Sequence, residues 1–159
     1  ETWEQCAGTD PDIHFINPCE SAPGRVYLAT ASGPYRSDDG AKSGKMISNG
    51  LQRHYALHIT AANDDPDTVL ITVSKHAGRV EPQFYRSTDG GSQWELIRGV
   101  GLNDDMVVAI DWDPKEPQRV YAGTDKGKIY CSNDRGREWV QINVDLGTLG
   151  VGALVVAPV

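Results

Sequence analysis

Carboxylates stand in close pairs along this chain: Asp38 with Asp39, Asp64 with Asp65, Asp104 with Asp105, Asp111 with Asp113. Two carboxyl groups flanking a glycosidic bond, about 5–9.5 Å apart, are the equipment of a glycoside hydrolase. Adjacent residues on a strand point to opposite faces, so two consecutive aspartates are not by themselves such a pair. Asp64, Asp65 and Asp113 fall in proline turns and read as turn formers. Asp104 and Asp105 precede an apolar strand and are the better catalytic candidates. A second constellation joins Arg53 and His54 to His76, Arg79 and Glu81 of the polar run 74–82, and to Asp125. These side chains suit recognition of a carbohydrate or a protein. His54 and His58 are an even number apart and share a face of a regular strand. A metal needs at least one more ligand and a supporting hydrogen-bond network, and none is evident, so no metal and no other cofactor is expected. No Ser-His-Asp set, phosphate-binding glycine loop or Cys-x-x-Cys pair occurs.

Such side chains need a scaffold, and the chain carries one as a repeat. Ser87-Thr-Asp89-Gly-Gly91-Ser-Gln-Trp94 reads S-x-D-x-G-x-x-W, and so does Ser132-Asn-Asp134-Arg-Gly136-Arg-Glu-Trp139. Opening runs begin at residues 13, 56, 107 and 151. After each of the first three come a proline turn, a second run (25–30, 68–73, 119–124), a third run (34–36, 83–86, 128–131), the box, and a short fourth run. The runs are rich in Val, Ile, Tyr and Thr and bounded by Pro, Gly, Asn and Asp, the signature of strands and turns. No stretch carries the helical apolar period of about 3.6 residues. Four short strands per unit predict an all-β fold, a β-propeller of four-stranded antiparallel blades. The predicted blades cover 12–48, 55–98 and 106–143. Residues 1–7, around Trp3, are predicted as the outer strand of a preceding blade, and 150–159 as the inner strand of a following one.

The box explains its own residues. Ser and Asp side chains bond the amides of their turn, glycine permits positive φ, and tryptophan pins the hairpin to its blade. Ser87, Asp89, Gly91, Trp94, Ser132, Asp134, Gly136 and Trp139 are therefore read as structural. The first copy, Ser37-Asp-Asp39-Gly-Ala41-Lys-Ser-Gly44, keeps Ser37 and Asp39. It has alanine for the glycine and glycine for the tryptophan, which predicts a looser turn and a poorly anchored outer strand.

On these motifs the chain resembles the Asp-box, or bacterial neuraminidase repeat (BNR), class of β-propeller over nearly its whole length. The class includes sialidase-like, sortilin-like and xyloglucanase-like propellers. The resemblance implies a box on the rim, away from any active site, and ligands on the face that joins each fourth strand to the next first strand. That face receives 49–55, 74–82, 103–105 and 125–127, hence Arg53, His54, His76, Arg79, Glu81 and Asp125. A sialidase resemblance would bring an Arg-Ile-Pro signature, and none occurs. The preferred expectation is a non-enzymatic binding or scaffold module. The alternative is a BNR-type glycoside hydrolase whose catalytic residues lie partly outside this chain. A purely structural subunit of an assembly is a third reading.

Composition narrows the partners. The net charge of −7 disfavours a nucleic-acid groove or an anionic membrane surface, and no apolar run reaches the ~18 residues of a membrane span. Cys6, Cys19 and Cys131 are too few and too odd for a disulfide framework. A Cys6–Cys19 bridge is the one pairing weighed, and Cys131 reads as a free thiol. Propellers have about four to eight blades, so a ring of about six or seven is expected. The remaining blades would come from the same protein, from a second chain, or from a homo-oligomer.

Overall fold

The computed structural model describes residues 5–100, 105–144, 146 and 149–157. Trp3 and Asp104 lie outside them. Twelve strands form three antiparallel meanders. Blade 1 is β1 (Ile13–Pro18), β2 (Val26–Thr30), β3 (Gly33–Ser37) and β4 (Lys45–Met46). Blade 2 is β5 (Tyr55–Ala62), β6 (Asp65–Ser74), β7 (Gln83–Ser87) and β8 (Glu95–Ile97). Blade 3 is β9 (Val107–Trp112), β10 (Val120–Thr124), β11 (Ile129–Ser132) and β12 (Val140–Ile142). Among the described residues there is no helix. The predicted all-β architecture of four-stranded blades is what the chain adopts.

The three registers superimpose. Val26, Val69 and Val120 each pair with a box serine, Ser37, Ser87 and Ser132. Tyr27, Leu70 and Tyr121 therefore occupy one repeat position, and Arg36, Arg86 and Cys131 another. The second strands are largely buried, and that of blade 2 lies between two neighbouring blades, so its apolar run is continuous, not alternating. Tyr27 and Ala29 of blade 1 pack with Ile59, Ile71 and Val73 of blade 2. Leu70 and Phe84 of blade 2 pack with Ile110, Trp112 and Val120 of blade 3. The outer strands are two or three residues long and largely exposed, which blunts the sheet edges. Apolar side chains remain exposed on the outer blades, among them Ile13 and Ile16 on blade 1 and Val140 and Ile142 on blade 3.

Two expectations are corrected, on the turn of blade 2 and on the first box. The proline turn of blade 2 is tighter than predicted. β6 starts at Asp65, and a bulge between Ala61 and Ala62 seats Pro66 within the strand, where an irregularity spares the ladder the amide it lacks. Residues 151–157 form no ladder. They follow the position of an inner strand, but no second strand lies beside them among the described residues. The first box is not loose: Ser37 Oγ donates to Asp39 Oδ1 at 2.7 Å, Ala41 N donates to Ser37 Oγ at 3.0 Å, and Lys42 N and Ser43 N reach Asp39 Oδ1, each at 3.0 Å. Gly44 leaves room for the chain itself. Ala7 N donates to Lys42 O and Gly44 N to Ala7 O, both at 2.9 Å, and a side chain at position 44 would collide with Thr9 Cγ2.

Candidate functional site

The boxes lie at the β3–β4, β7–β8 and β11–β12 hairpins. Ser87 Oγ donates to Asp89 Oδ1 (2.8 Å) and accepts from Gly91 N (2.9 Å), and Gln93 N donates to Asp89 Oδ1 (2.9 Å). Ser132, Asp134, Gly136 and Glu138 repeat this arrangement within 0.1 Å. Trp94 Nε1 donates to Ile47 O of blade 1 at 2.6 Å, whereas Trp139 Nε1 donates to Gly136 O of its own box at 3.0 Å. Burial raises the pKa values of Asp89 and Asp134, but the amides and hydroxyls around them outweigh it and hold both below the ordinary carboxylate range.

Blades are joined by side chains that reach backbone carbonyls. Tyr27 Oη donates to Pro66 O (2.8 Å), Arg36 Nη1 to Gly90 O (3.1 Å) and Arg86 Nε to Arg135 O (2.7 Å). Arg25 adds ion pairs to Asp38 (2.8 Å) and to Asp67 of the next blade (2.5 Å), and Arg135 reaches back to Asp64 (2.6 Å) and Asp65 (3.4 Å). Asp64 and Asp65 thus meet an arginine of the neighbouring blade as well as shaping their turn.

On the opposite face the candidate loops come together in two groups. Glu81 takes Arg53 on one oxygen and Lys75 Nζ on the other, the latter at 3.0 Å. Hydrogen bonds from Lys75 and Arg53 hold the Glu81 carboxyl below its usual range. Arg79 of blade 2 approaches Asp125 of blade 3, Nη1 to Oδ2 3.7 Å. The other Asp125 oxygen accepts from Met106 N at 3.0 Å. His76 spends its Nδ1 on Gly78 N of its own loop (3.0 Å), and His54 is exposed. Arg79 and Glu81 both hold positive φ, 56° and 51°, an uncommon conformation for such residues that is enriched at ligand-clamping loops.

Asp105 is buried and ion-paired. It is 1 % exposed, and it binds Lys128 Nζ at 2.8 Å and accepts from Lys126 N at 3.2 Å. Burial raises its pKa, yet the Lys128 ammonium with the neighbouring hydrogen bonds brings it below the ordinary range.

A groove of about 640 Å³ runs across β1, β5, β9 and residues 151–155, and His14, Phe15, His58, Arg79 and Asp111 line it. Arg79 is the proposed loop residue that belongs to both the loop face and this groove. His14 Nδ1 lies 2.6 Å from Ala56 O. His58 is 8 % exposed and stacks on Phe15 with ring centroids 3.8 Å apart. His54 and His58 do not share a face: β5 is irregular between Ala56 and His58, which breaks the period of two, and His54 precedes the strand. Among the described residues no cluster of three metal-ligating side chains occurs. Cys6, Cys19 and Cys131 are all free thiols. His14 was not singled out in the sequence and Asp111 entered only as a paired carboxylate, because only the convergence of inner strands from separate blades brings the two to one groove.

Stacked meanders and carbonyl-directed joints make up blades of a β-propeller fold, each carrying the box in its outer hairpin. No family model matches it. Vacuolar protein sorting/targeting protein 10 of Aspergillus clavatus is 29 % identical over 77 residues, 48 % of this chain and 5 % of that protein. The chain thus spans about a twentieth of the curated relatives it matches. Among solved structures, an ancestral GH74 enzyme aligns with a TM-score of 0.72 at 13 % identity, over 87 % of this chain and 19 % of that one. YCF48 from Cyanidioschyzon merolae aligns with a TM-score of 0.63 at 17 % identity, over 89 % of this chain and 40 % of that one. YCF48 has also been solved bound to D1 peptide, and that structure aligns with a TM-score of 0.62 at 16 % identity, over 82 % of this chain and 39 % of that one. These structural likenesses are likenesses of fold.

Proposed function

We propose that the chain is a non-enzymatic binding or scaffold module whose loop face engages a protein or carbohydrate partner. Arg53, His54, His76, Arg79, Glu81 and Asp125 form the contact surface, and further blades complete the propeller. The observation that carries this reading is Arg79. It projects from a loop held at positive φ, bridges to Asp125 of the next blade, and borders the inner-strand groove. A charged group so placed can orient a ligand that lies across two blades. The carboxyl groups whose titration is displaced, Asp105 included, are all pushed down. A glycosidase acid needs the opposite displacement. The likeness to GH74 enzymes keeps hydrolysis as the rival.

The test is a screen of peptides and of xyloglucan and sialoside oligosaccharides against the protein, followed by Arg79→Ala. Loss of one charge-assisted contact predicts about a tenfold fall in affinity for the selected ligand, without turnover. Unchanged affinity removes Arg79 from the site, and hydrolysis of any glycan overturns the non-enzymatic reading.

A further inference from the structure

Blades 2 and 3 both have all four strands, and a polar cleft of about 530 Å³ opens at their joint on the box side. Arg86, Thr88, Glu95, Arg98 and Arg137 line it. Its counterpart at the joint of blades 1 and 2 is lined by Lys45, Ser48 and Ser92, which hold the repeat positions of Glu95, Arg98 and Arg137. Arg36 and Arg86 are likewise equivalent, yet their surroundings differ. Arg36 Nη1 donates to Gly90 O at 3.1 Å, and its Nε and Nη2 both meet Asp38 Oδ2 at 2.9 Å. Arg86 places Nε on the matching carbonyl, that of Arg135, at 2.7 Å. Where blade 1 has Asp38, blade 2 has Thr88. The two Nη nitrogens of Arg86 therefore have no hydrogen-bond partner and no ion pair among the described residues, although the residue is only 7 % exposed.

A buried guanidinium without a paired counter-charge is costly. Burial, and then the nearby Arg137 charge, pull the Arg86 pKa down, and Glu95, Asp134 and Asp65 offset this only through space. Glu95 stands directly across the ladder from Arg86, but no ion pair joins them. Three arginines against one carboxylate make the cleft locally cationic, in a chain whose net charge is −7. Arg98 and Arg137 are exposed and can close over a guest.

We propose that this cleft binds a phosphate dianion, free or as a monoester, with the Nη groups of Arg86 as its floor, Arg98 and Arg137 as its walls and the Thr88 hydroxyl as a further donor. The guest takes the place that Asp38 fills beside Arg36. A planar guanidinium offers two parallel hydrogen bonds to a pair of phosphate oxygens. A carboxylate would leave half of the local charge unmatched, whereas a phosphate monoester carries about −1.5 to −2 near pH 7. The cleft lies on the box side of the joint, away from Arg79, and does not depend on the loop-face reading.

The test titrates the full chain with inorganic phosphate and, in parallel, with N-acetyl-phosphoserine amide, following backbone amide resonances by NMR at constant ionic strength. Saturable shifts at 86–88, 95–98 and 135–137 are expected. Tighter binding of the phosphoserine compound assigns the site to a modified side chain of a partner, and equal or weaker binding assigns it to the free anion. Thr88→Asp supplies the carboxylate that blade 1 has and should weaken phosphate binding about tenfold or more. Arg137→Gln keeps the backbone hydrogen bond from residue 137 to Asp134 Oδ1 and should weaken binding about fivefold, and Glu95→Gln should tighten it severalfold. Shifts that do not saturate, that fall outside these segments, or that Thr88→Asp and Arg137→Gln leave unaltered overturn the proposal. Glycan turnover, or unchanged ligand affinity after Arg79→Ala, would sink the loop-face reading without altering these readouts.

Discussion

His58 shows how strongly one position in the groove departs from its counterpart in water. Burial beneath Phe15 pushes its pKa down to about 4 from an ordinary 6.5. Between those values the unfolded chain holds the extra proton and the folded chain does not, so stability rises with pH. The contribution is complete above about pH 6.5 and is lost as the pH falls toward 4, for roughly 3 kcal/mol in all. Urea midpoints between pH 4.5 and 7 should show this slope, and His58→Gln should flatten it. The box aspartates act in a lower window. Asp89 and Asp134 are depressed from 3.8, so their stabilisation is present above about pH 4 and fades below it. Ser132→Ala strands Gly136 N and frees Asp134. A loss of about 1–3 kcal/mol in chemical denaturation is expected, with no change in the pH 4.5–7 slope.

At the scale of strands and turns, most of the fold was legible because its signals are local. The box fixes a hairpin through contacts within eight residues of sequence, and Val-rich middle strands need no distant information to be recognised. The bulge that separates His54 from His58 and the tight start of β6 were not legible, because both depend on what lies beside a strand. The firmness of the first box was missed because Thr9 and Ala7 stand in for an absent tryptophan from a distant stretch. The glycines offer a test of local against non-local demand. Gly40 has φ of 75° with nothing within 4 Å of an added Cβ, so Gly40→Ala should cost only the backbone strain, about 1 kcal/mol. At Gly91, φ is 86° and the Cβ would meet Ile47 Cδ1 of blade 1 at 2.5 Å. Gly91→Ala should cost distinctly more, about 2–4 kcal/mol, and loosen the joint between blades 1 and 2. Thermal melts of the two variants compare them directly, and equal losses would contradict the close approach.

For the molecule as a whole, stability lies between blades as much as within them. Both large cores straddle a joint. The third blade differs, since Cys131 holds the place from which Arg36 and Arg86 cross to the next box. Gly123→Ala should therefore lift 149–157 from blade 3, since the added methyl would enter the space of Val151. Faster amide exchange confined to 149–157 is the expected sign, and unchanged exchange there would contradict the packing. Sequence inspection grouped the loop-face residues, but it left the groove unseen because the groove exists only where three inner strands meet.

The joints have one property with a bearing on descent. Tyr27, Arg36 and Arg86 all aim at main-chain oxygens, and every residue type supplies one. Gly90 and Arg135, with no side-chain chemistry in common, each accept a hydrogen bond from an arginine at the same repeat position. At these contacts a blade can thus drift in sequence without a matching change across the seam, whereas the ion pairs of Arg25 with Asp67 and of Arg135 with Asp64 and Asp65 do need matched partners. Lineages built this way should lose recognisable similarity between blades faster than they lose the ring.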